Sequence, residues 1–373
     1  MSERTVEEFQ VGARDWLAAN KQHAPRDYGA ICPPDLVSAG VAWQRRIYEA
    51  GYAGIHWPAE FGGRGLTVEH NAAWAYECAI VGVPAIFNMV GLVLAGGALL
   101  RFGTPDQQTK HLHETLRANH VWCQLFSEPG AGSDLAGLTT RAERDGDRFI
   151  VNGQKVWCSG GRYSNWGILM ARTDPDAPKH EGISFFAYPM NLPGVEIRPL
   201  KQMTGEAEFD EVFFADVELP ADHLLGPLHG GWNVGMAVLT SERGHGSASV
   251  VGLKRRLSGM SQIGEGRQLG PVERQRLAAL VAQGNAYISM AQQQGPIAST
   301  AASLLKLGLS EMMFDVAVLR NDLAGMEGSL MGPDASGMLA APAGRIAGGT
   351  SQVQRNIIGE RLLGLPREPR PTG

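Results

Sequence analysis

Between residues 121 and 228 the sequence runs through short β-branched and aromatic segments with no helix-length stretch between them. They read "RFIVNGQKVWCS", "WGILMART", "GISFFAYPM", "GVEIRPL" and "FDEVFFADVEL", separated by Pro, Gly and Asp. Parallel strands need long crossover connections, usually helical. Their lack here excludes an alternating βαβ sheet and predicts an antiparallel barrel or sandwich. The sharpest local signal is Asn152-Gly153, which supplies the two positive-φ positions of a type I′ turn and predicts a hairpin folded at that point.

Both flanks carry helical periodicity instead. Val6, Phe9, Ala13, Trp16 and Leu17 fall on one stripe. "PPDLVSAGVAWQRRIYEAG" predicts a helix closed by Gly51, and "EHNAAWAYECAIVG" a third. The loop "HWPAEFGGRG" separates these two. After "LPADHLLGPLHGGW" the helices resume and run to "RNIIGERLLGLPRE", where Gly364 and Pro366 punctuate the last one. The expected class is therefore α+β, with an N-terminal helical domain at 1–120, a central β domain at 121–228 and a C-terminal helical domain at 229–373.

Composition narrows the function classes. A formal charge of -5 gives no general basic field, so nucleic acid is not an expected partner. No apolar run reaches membrane-spanning length, and "MSERTVEEFQ" is acidic and polar, unlike a secretory leader. Cys32, Cys78, Cys123 and Cys158 are scattered without metal or redox spacing, so buried thiols in a reducing cytoplasm are expected. His111, His113 and His120 have no Cys or carboxylate cluster at metal spacing and read as solvated helix residues. "SLLK" at Ser303–Lys306 mimics a Ser-x-x-Lys nucleophile without its partner motifs, and reads as packing.

The stretch "LFSEPGAGSDLAG", Leu125–Gly137, has the look of a phosphate loop. A dinucleotide-binding reading fails, because Leu135 occupies the sixth position of GxGxxG and no crossover helix follows. Taken alone, such a stretch is as well explained as a tight connection. With its surroundings, however, it resembles the first signature of the acyl-CoA dehydrogenase family, through Phe126, Ser127, Glu128, Pro129-Gly130-Ala131 and Gly132-Ser133-Asp134. "DGDRFIVNGQKVWCSGG", "PGVEIRPLKQMTG", "FDEVFFADVELPADHLLG", "GTPDQQ", "LTSERG" and "GGTSQVQRNIIGERLLGLPRE" are similar to further family segments in the family's order, over residues 35 to 367.

The resemblance implies an FAD-dependent enzyme desaturating an acyl-CoA thioester, with a C-terminal four-helix bundle that builds a tetramer. It implies that Phe126 and Ser127 meet the flavin ring edge, and that Gly132 and Ser133 lie where flavin phosphate and acyl-CoA approach each other. Trp157 and Ser159 would bracket the isoalloxazine, and Thr350 and Gln352 would also serve the flavin. Physical reasons run parallel: a planar ring needs an aromatic wall, and glycine lets backbone amides approach phosphate oxygens. For Trp157 the plain alternative is a core aromatic.

Desaturation removes an α-proton while hydride leaves Cβ, and a desolvated carboxylate is the natural base. Many family members carry that Glu just before Gly-Thr-Ser; here Gly348 stands there. A smaller branch, the isovaleryl-type and many bacterial steroid-degrading members, carries it on the helix after the β domain. That position is Glu242 in "VLTSERGHG", with an ion pair to Arg243 as the structural alternative. The Gly348 amide would then donate to the thioester carbonyl, with Ser133, Arg243 and Gly349 as substrate contacts.

Two cofactor elements of the family are missing: "GMSQIGEGRQLGPVERQ" stands in place of Arg-x-x-Phe-Gly, and "LAGMEGSLMG" in place of Gln-x-x-Gly-Gly. Expected partners are an acyl-CoA thioester, an electron-transfer flavoprotein or similar acceptor, and copies of this chain or a paralogous subunit in a homotetramer or heterotetramer. The alternative role is a non-catalytic or half-site subunit. In "PAIFNMVGLVLAGGALLRFGTPDQQ", Gly91, Gly96 and Gly97 would either leave room for a bulky acyl group or serve close helix packing.

Overall fold

The structure is a computed structural model that describes residues 5–28, 31–243, 269–291 and 297–367, with backbone only at 240–243 and 297–301. The chain divides into two compact units, Met1–Glu242 and Arg243–Gly373.

In the first unit, α1 (Val6–Asn20) begins at Thr5, whose side chain accepts the Glu8 N–H while Glu8 returns a bond to the Thr5 N–H. It buries Phe9, Ala13 and Leu17, as its stripe predicts. Helix α2 (Val37–Glu49) is followed by Gly51 at φ 78°, and α3 (Val68–Val81) is closed by Gly82 at φ 84°. Glu77 of α3, fully buried, takes Arg14 at 2.8 Å and Gln10 at 2.7 Å from α1, so its charge is compensated rather than stranded.

The glycine-rich segment divides into a π-helical turn over Val90–Ala95 and α4 (Gly96–Phe102). Its glycines separate by function. A Cβ on Gly96 would lie 2.2 Å from the Trp57 ring, and one on Gly91 2.3 Å from the Asn88 amide. These two serve close packing, the second of the two alternatives; Gly97 alone of the three has open space. Helix α5 (Pro105–Leu116) follows, capped reciprocally by Thr104 and Gln107.

Seven strands form one sheet: β1 (Trp122–Leu125), β2 (Arg141–Asp145), β3 (Arg148–Ser159), β4 (Trp166–Arg172), β5 (Ile183–Pro189), β6 (Val195–Leu200) and β7 (Phe209–Pro220). Their order is β1-β4-β2-β3-β7-β6, with β5 also on β4. Pairing is antiparallel for β2–β3, β3–β7, β4–β5 and β6–β7. It is parallel for β1–β4 and at one pair of β2–β4, a local departure from the expected all-antiparallel pattern. The chain between β1 and β4 is spent on the signature loop and the β2–β3 hairpin, long enough to reverse direction without a helix.

The hairpin does not fold at Asn152-Gly153, correcting the turn expected there. Asp145 pairs with Arg148 across Gly146-Asp147, with Gly146 at φ 61°. Asn152-Gly153 lies inside β3, opposite a bulge in β7 where Val151↔Val217 gives way to Gly153↔Phe214. Asn152 exchanges two hydrogen bonds with Asp216, which sits at φ 49° in that bulge. A Cβ on Gly153 would meet Thr140 Oγ1 at 2.6 Å, so glycine is required for the approach of two backbones rather than for a turn.

Strand β4 explains its unbroken apolar run: Ile168 and Met170 enter the core shared with the N-terminal helices. Leu169 and Ala171 enter a second core with Phe149, Val151, Phe186, Tyr188 and Val212. Both faces of β4 are thus covered. Helix α6 (Gly231–Arg243) sends Val234 and Val238 into the first of these cores.

The second unit contains α7 (Pro271–Ala291), α8 (Ile297–Ala324), α9 (Pro333–Gly344) and α10 (Ser351–Ile357), the last running into a π-helical turn over Ile358–Leu362. Leu280, Ile288, Met312, Val316 and Leu319 form its core. The expected four-helix bundle draws also on residues 244–268, which lie outside the described residues. No helix among the described residues is long and apolar enough to cross a membrane.

Candidate functional site

The signature loop leaves β1 at Leu125 and folds back on itself through Glu128 and Ala131, which exchange N–H···O bonds of 3.0 and 3.1 Å. Glu128 is its anchor. Its carboxylate accepts from Thr139 N–H at 2.7 Å, Thr139 Oγ1 at 2.8 Å and Thr140 N–H at 2.9 Å, and pairs with Lys155 at 2.8 Å. Burial pushes this carboxyl upward, but the Lys155 charge and these donors overcome it and hold the group at about 2. Lys155 on β3 is fully buried, which lowers its amine below the ordinary lysine range, and Glu128 offsets that cost in part. The same amine donates to the Phe126 carbonyl at 3.0 Å.

The loop and β3 lie side by side, since Val156 N–H donates to the Ser127 carbonyl at 2.9 Å. The Phe126 ring is buried edge-to-face on Phe185, so only its backbone belongs to the site surface. Ser127 is half-buried, and Gly132 and Ser133 are exposed on the outer turn. Cβ atoms on Gly130 and Gly132 would meet nothing within 4 Å.

Trp157 is 53% exposed and stands at φ 60°, which a bulky residue adopts at a cost of order 1–3 kcal/mol. The cause is a second bulge, in which three steps along β3 from Lys155 to Cys158 match two along β7. The extra residue turns the indole out between buried Val156 and buried Cys158, edge-to-face with Phe209 at 5.7 Å. It is no core aromatic. Ser159, two residues on, lines a cleft with Asn88, Trp122 and Tyr163. Behind it Asp210, buried, takes Arg162 N–H at 2.9 Å and its guanidinium at 2.6 Å. Burial raises the Asp210 carboxyl, and the Arg162 bonds restrain the rise.

In the second unit Gly348 and Gly349 are consecutive left-handed residues at φ 65° and 92°. Lys306 donates to the Gly349 carbonyl at 2.5 Å and Gln354 to that of Gly348 at 3.0 Å. The "SLLK" lysine thus secures the glycine turn, while Ser303 is buried. Thr350 caps α10 by accepting the Val353 N–H, and Gln352 is exposed. The side chains of Glu242 and Arg243 lie outside the described residues; their backbone closes α6.

The structure therefore brings together Phe126, Ser127 and Trp157, with Gly132 and Ser133 on the same loop. Sequence reasoning passed over Lys155 and Glu128 as a pair. The available signal was parity: Phe149, Val151 and Lys155 alternate on the inward side of β3, and a lysine there demands a buried acid.

The histidines expected to be solvated are not. His111 is buried, its Nδ1 3.2 Å from that of His120, and it packs on Trp166 at 4.4 Å. His120 and His113 are half-buried, the latter reaching the Glu60 carbonyl at 3.2 Å. All four cysteines are buried thiols. Among the described residues no three His, Cys, Asp or Glu side chains gather around a metal-sized space.

Family models match the chain in order: "Acyl-CoA dehydrogenase, N-terminal domain" over residues 6–119, "middle domain" over 123–217 and "C-terminal domain" over 229–363. The chain belongs to the acyl-CoA dehydrogenase family, a family of FAD flavoproteins, and is an oxidoreductase of that activity. It is 38% identical to "Acyl-CoA dehydrogenase IpdE1" of Mycobacterium tuberculosis, over 97% of this chain and 98% of that one. Among solved structures, "Tcur3481-Tcur3483 steroid ACAD" aligns at a TM-score of 0.82 and 26% identity, covering 99% of both chains. The "ChsE4-ChsE5 complex from Mycobacterium tuberculosis" aligns at 0.78 and 26%, also covering 99% of both. The residues present fit a flavin: an out-turned indole offers a flat wall, and the open sides of Gly130 and Gly132 let a phosphate-bearing chain approach the backbone.

Proposed function

We propose that this chain catalyses α,β-dehydrogenation of a CoA thioester carrying a bulky, steroid-derived acyl group, and that the electrons leave to an external flavoprotein acceptor. The observation that carries the reading is the exposed, left-handed Trp157 beside the Phe126–Ser127 backbone. A fold spends strain on an outward tryptophan where a ring is to be faced. The steroid class is supported by the printed description of the Tcur3481-Tcur3483 structure, and the open side of Gly97 is compatible with a large acyl group.

In this reading a bound flavin would supply the hydride acceptor for the thioester Cβ. Glu242 accepts the Cα proton, the role left open by Gly348 where many family members carry Glu. The Gly348 N–H donates to the thioester carbonyl and stabilises developing enolate charge. Phe126 and Ser127 present backbone to the ring, Trp157 and Ser159 bound it, and Thr350 and Gln352 contribute flavin contacts. Gly132, Ser133, Arg243 and Gly349 address phosphate and thioester. Glu242→Gln is expected to keep FAD and acyl-CoA binding while lowering kcat by about a thousandfold, in the range that loss of a general base costs. Wild-type turnover in that variant removes Glu242 from the mechanism.

A second reading is favoured by the missing Arg-x-x-Phe-Gly and Gln-x-x-Gly-Gly elements and by the structural neighbour described as the ChsE4-ChsE5 complex. In it the chain is one half of a heterotetramer and holds FAD only at interfaces with a paralogue. Absorbance at ~450 nm separates the readings through the π-system of bound flavin. A colourless chain that turns yellow only on co-expression with the paralogue supports the second, and a yellow homo-oligomer the first.

A further inference from the structure

Lys155 is a fully buried amine with two hydrogen-bond partners, both on the signature loop. One partner, Glu128, already has three other donors from Thr139 and Thr140, so its carboxylate is fixed in place before the lysine is counted. The other is the Phe126 carbonyl, a neutral backbone group at the first residue beyond β1. A buried lysine replaced by a packed apolar residue often leaves stability unchanged or higher, provided its acid is neutralised too. Stability alone is therefore a poor account of why an amine sits here.

Geometry gives a better one. A peptide group is planar, so fixing the Phe126 carbonyl also fixes the Ser127 N–H on the opposite edge of the same plane. The Ser127 carbonyl is held separately by Val156 N–H at 2.9 Å. The two bonds leave Ser127 with both flanking peptides oriented, and Val156 is the neighbour of Trp157.

We infer that Lys155 is a positioning residue for flavin: anchored by Glu128, its amine pins the Phe126 carbonyl inward and so aims the Ser127 N–H outward beside Trp157. This rests on the reading above that Phe126 and Ser127 meet the ring. Without the amine the 126–127 peptide is released to rotate, and the ring edge loses an oriented donor.

The test uses the purified assembly stripped of flavin and titrated with FAD by fluorescence quenching, with melting of each apoprotein measured in parallel. Three variants separate donor, charge and fold. Glu128→Gln keeps the amine but strips it of its acid, so the apoprotein is expected to melt well below wild type while FAD affinity falls less than in Lys155→Met. Lys155→Met removes the donor and weakens FAD about tenfold or more, the worth of one charged hydrogen bond. The double variant Lys155→Met with Glu128→Gln buries no unpaired charge; it is expected to melt near wild type and still bind FAD at least about tenfold more weakly.

A double variant that binds FAD like wild type overturns the inference. So does one that does not fold, because the pair then holds the fold rather than the loop. Affinities that follow melting temperature across the three variants, instead of the presence of the amine, overturn it as well. If the wild-type assembly itself takes up no FAD, the reading of the loop fails, and the inference with it.

Discussion

The Nδ1 atoms of His111 and His120 face each other at 3.2 Å, so one ring donates and the other accepts, and the pair tolerates no second proton. Trp166 closes one side, with the Lys110 ammonium 5.3 Å from its ring and His223 stacked beyond it. His223 itself contacts the Ala187 carbonyl at 2.7 Å. Burial brings His111 down to about 3, with His120 and Lys110 adding repulsion; burial also lowers His120 and His223.

Acid sensitivity follows with a definite sign. Each of these groups has a folded pKa below its unfolded value near 6.5, so the unfolded chain binds more protons as pH falls. The stability they allow is fully present above that value and drains between about 6.5 and about 3. His111 alone is expected to cost about 1.4 kcal/mol per pH unit through this range. Urea unfolding followed by tryptophan fluorescence at pH 7, 6 and 5 checks the slope, and His111→Gln should flatten it. An unchanged slope in that variant assigns the acid loss to other groups.

Trp157 separates stability from cofactor binding. Trp157→Gly relieves a left-handed backbone and forfeits one edge-to-face contact, two effects of about 1 kcal/mol each and opposite sign. The apoprotein is expected to melt close to wild type while FAD affinity falls by more than about tenfold, as loss of an aromatic wall implies. A variant that binds FAD normally takes Trp157 out of the site.

Gly96 and Gly97 are neighbours with opposite expectations. Gly96→Ala drives a methyl group into Trp57, itself buried, and is expected to cost about 1–3 kcal/mol by overpacking. Gly97→Ala meets only open space and is expected to be neutral or to stabilise by up to about 1 kcal/mol through helix propensity. Denaturant midpoints of the two variants give the comparison directly.

Much of this architecture could be read before any coordinates because period and punctuation agreed. The stripe of α1, the glycines after α2 and α3, and the β4 run that feeds two cores are local rules that tertiary packing did not override. Asn152-Gly153 is where local chemistry misled. Its turn propensity is real, but Asp145-Gly146-Asp147 competed for the same hairpin, and the amide of Asn152 was committed to Asp216 across the sheet. The histidines failed for another reason: His111 is buried by Trp166, far along the chain, which no spacing within α5 reveals. The candidate site was legible as a set of residues, through the signature motif. The pair that organises it, Glu128 and Lys155, was legible only as parity on β3.

The second bulge of β3 also decides what kind of change this protein can inherit. Most positions around Trp157 tolerate exchange of one side chain for another at a definable cost. Loss of a single codon between Lys155 and Cys158 is different, since it would erase the odd residue that keeps two strands out of step there. Lys155 and Cys158 would then stand two steps apart against Val212 and Asp210, in ordinary register, and the bulge that turns the indole outward would be gone. In that stretch of β3, heredity conserves a count before it conserves a chemistry.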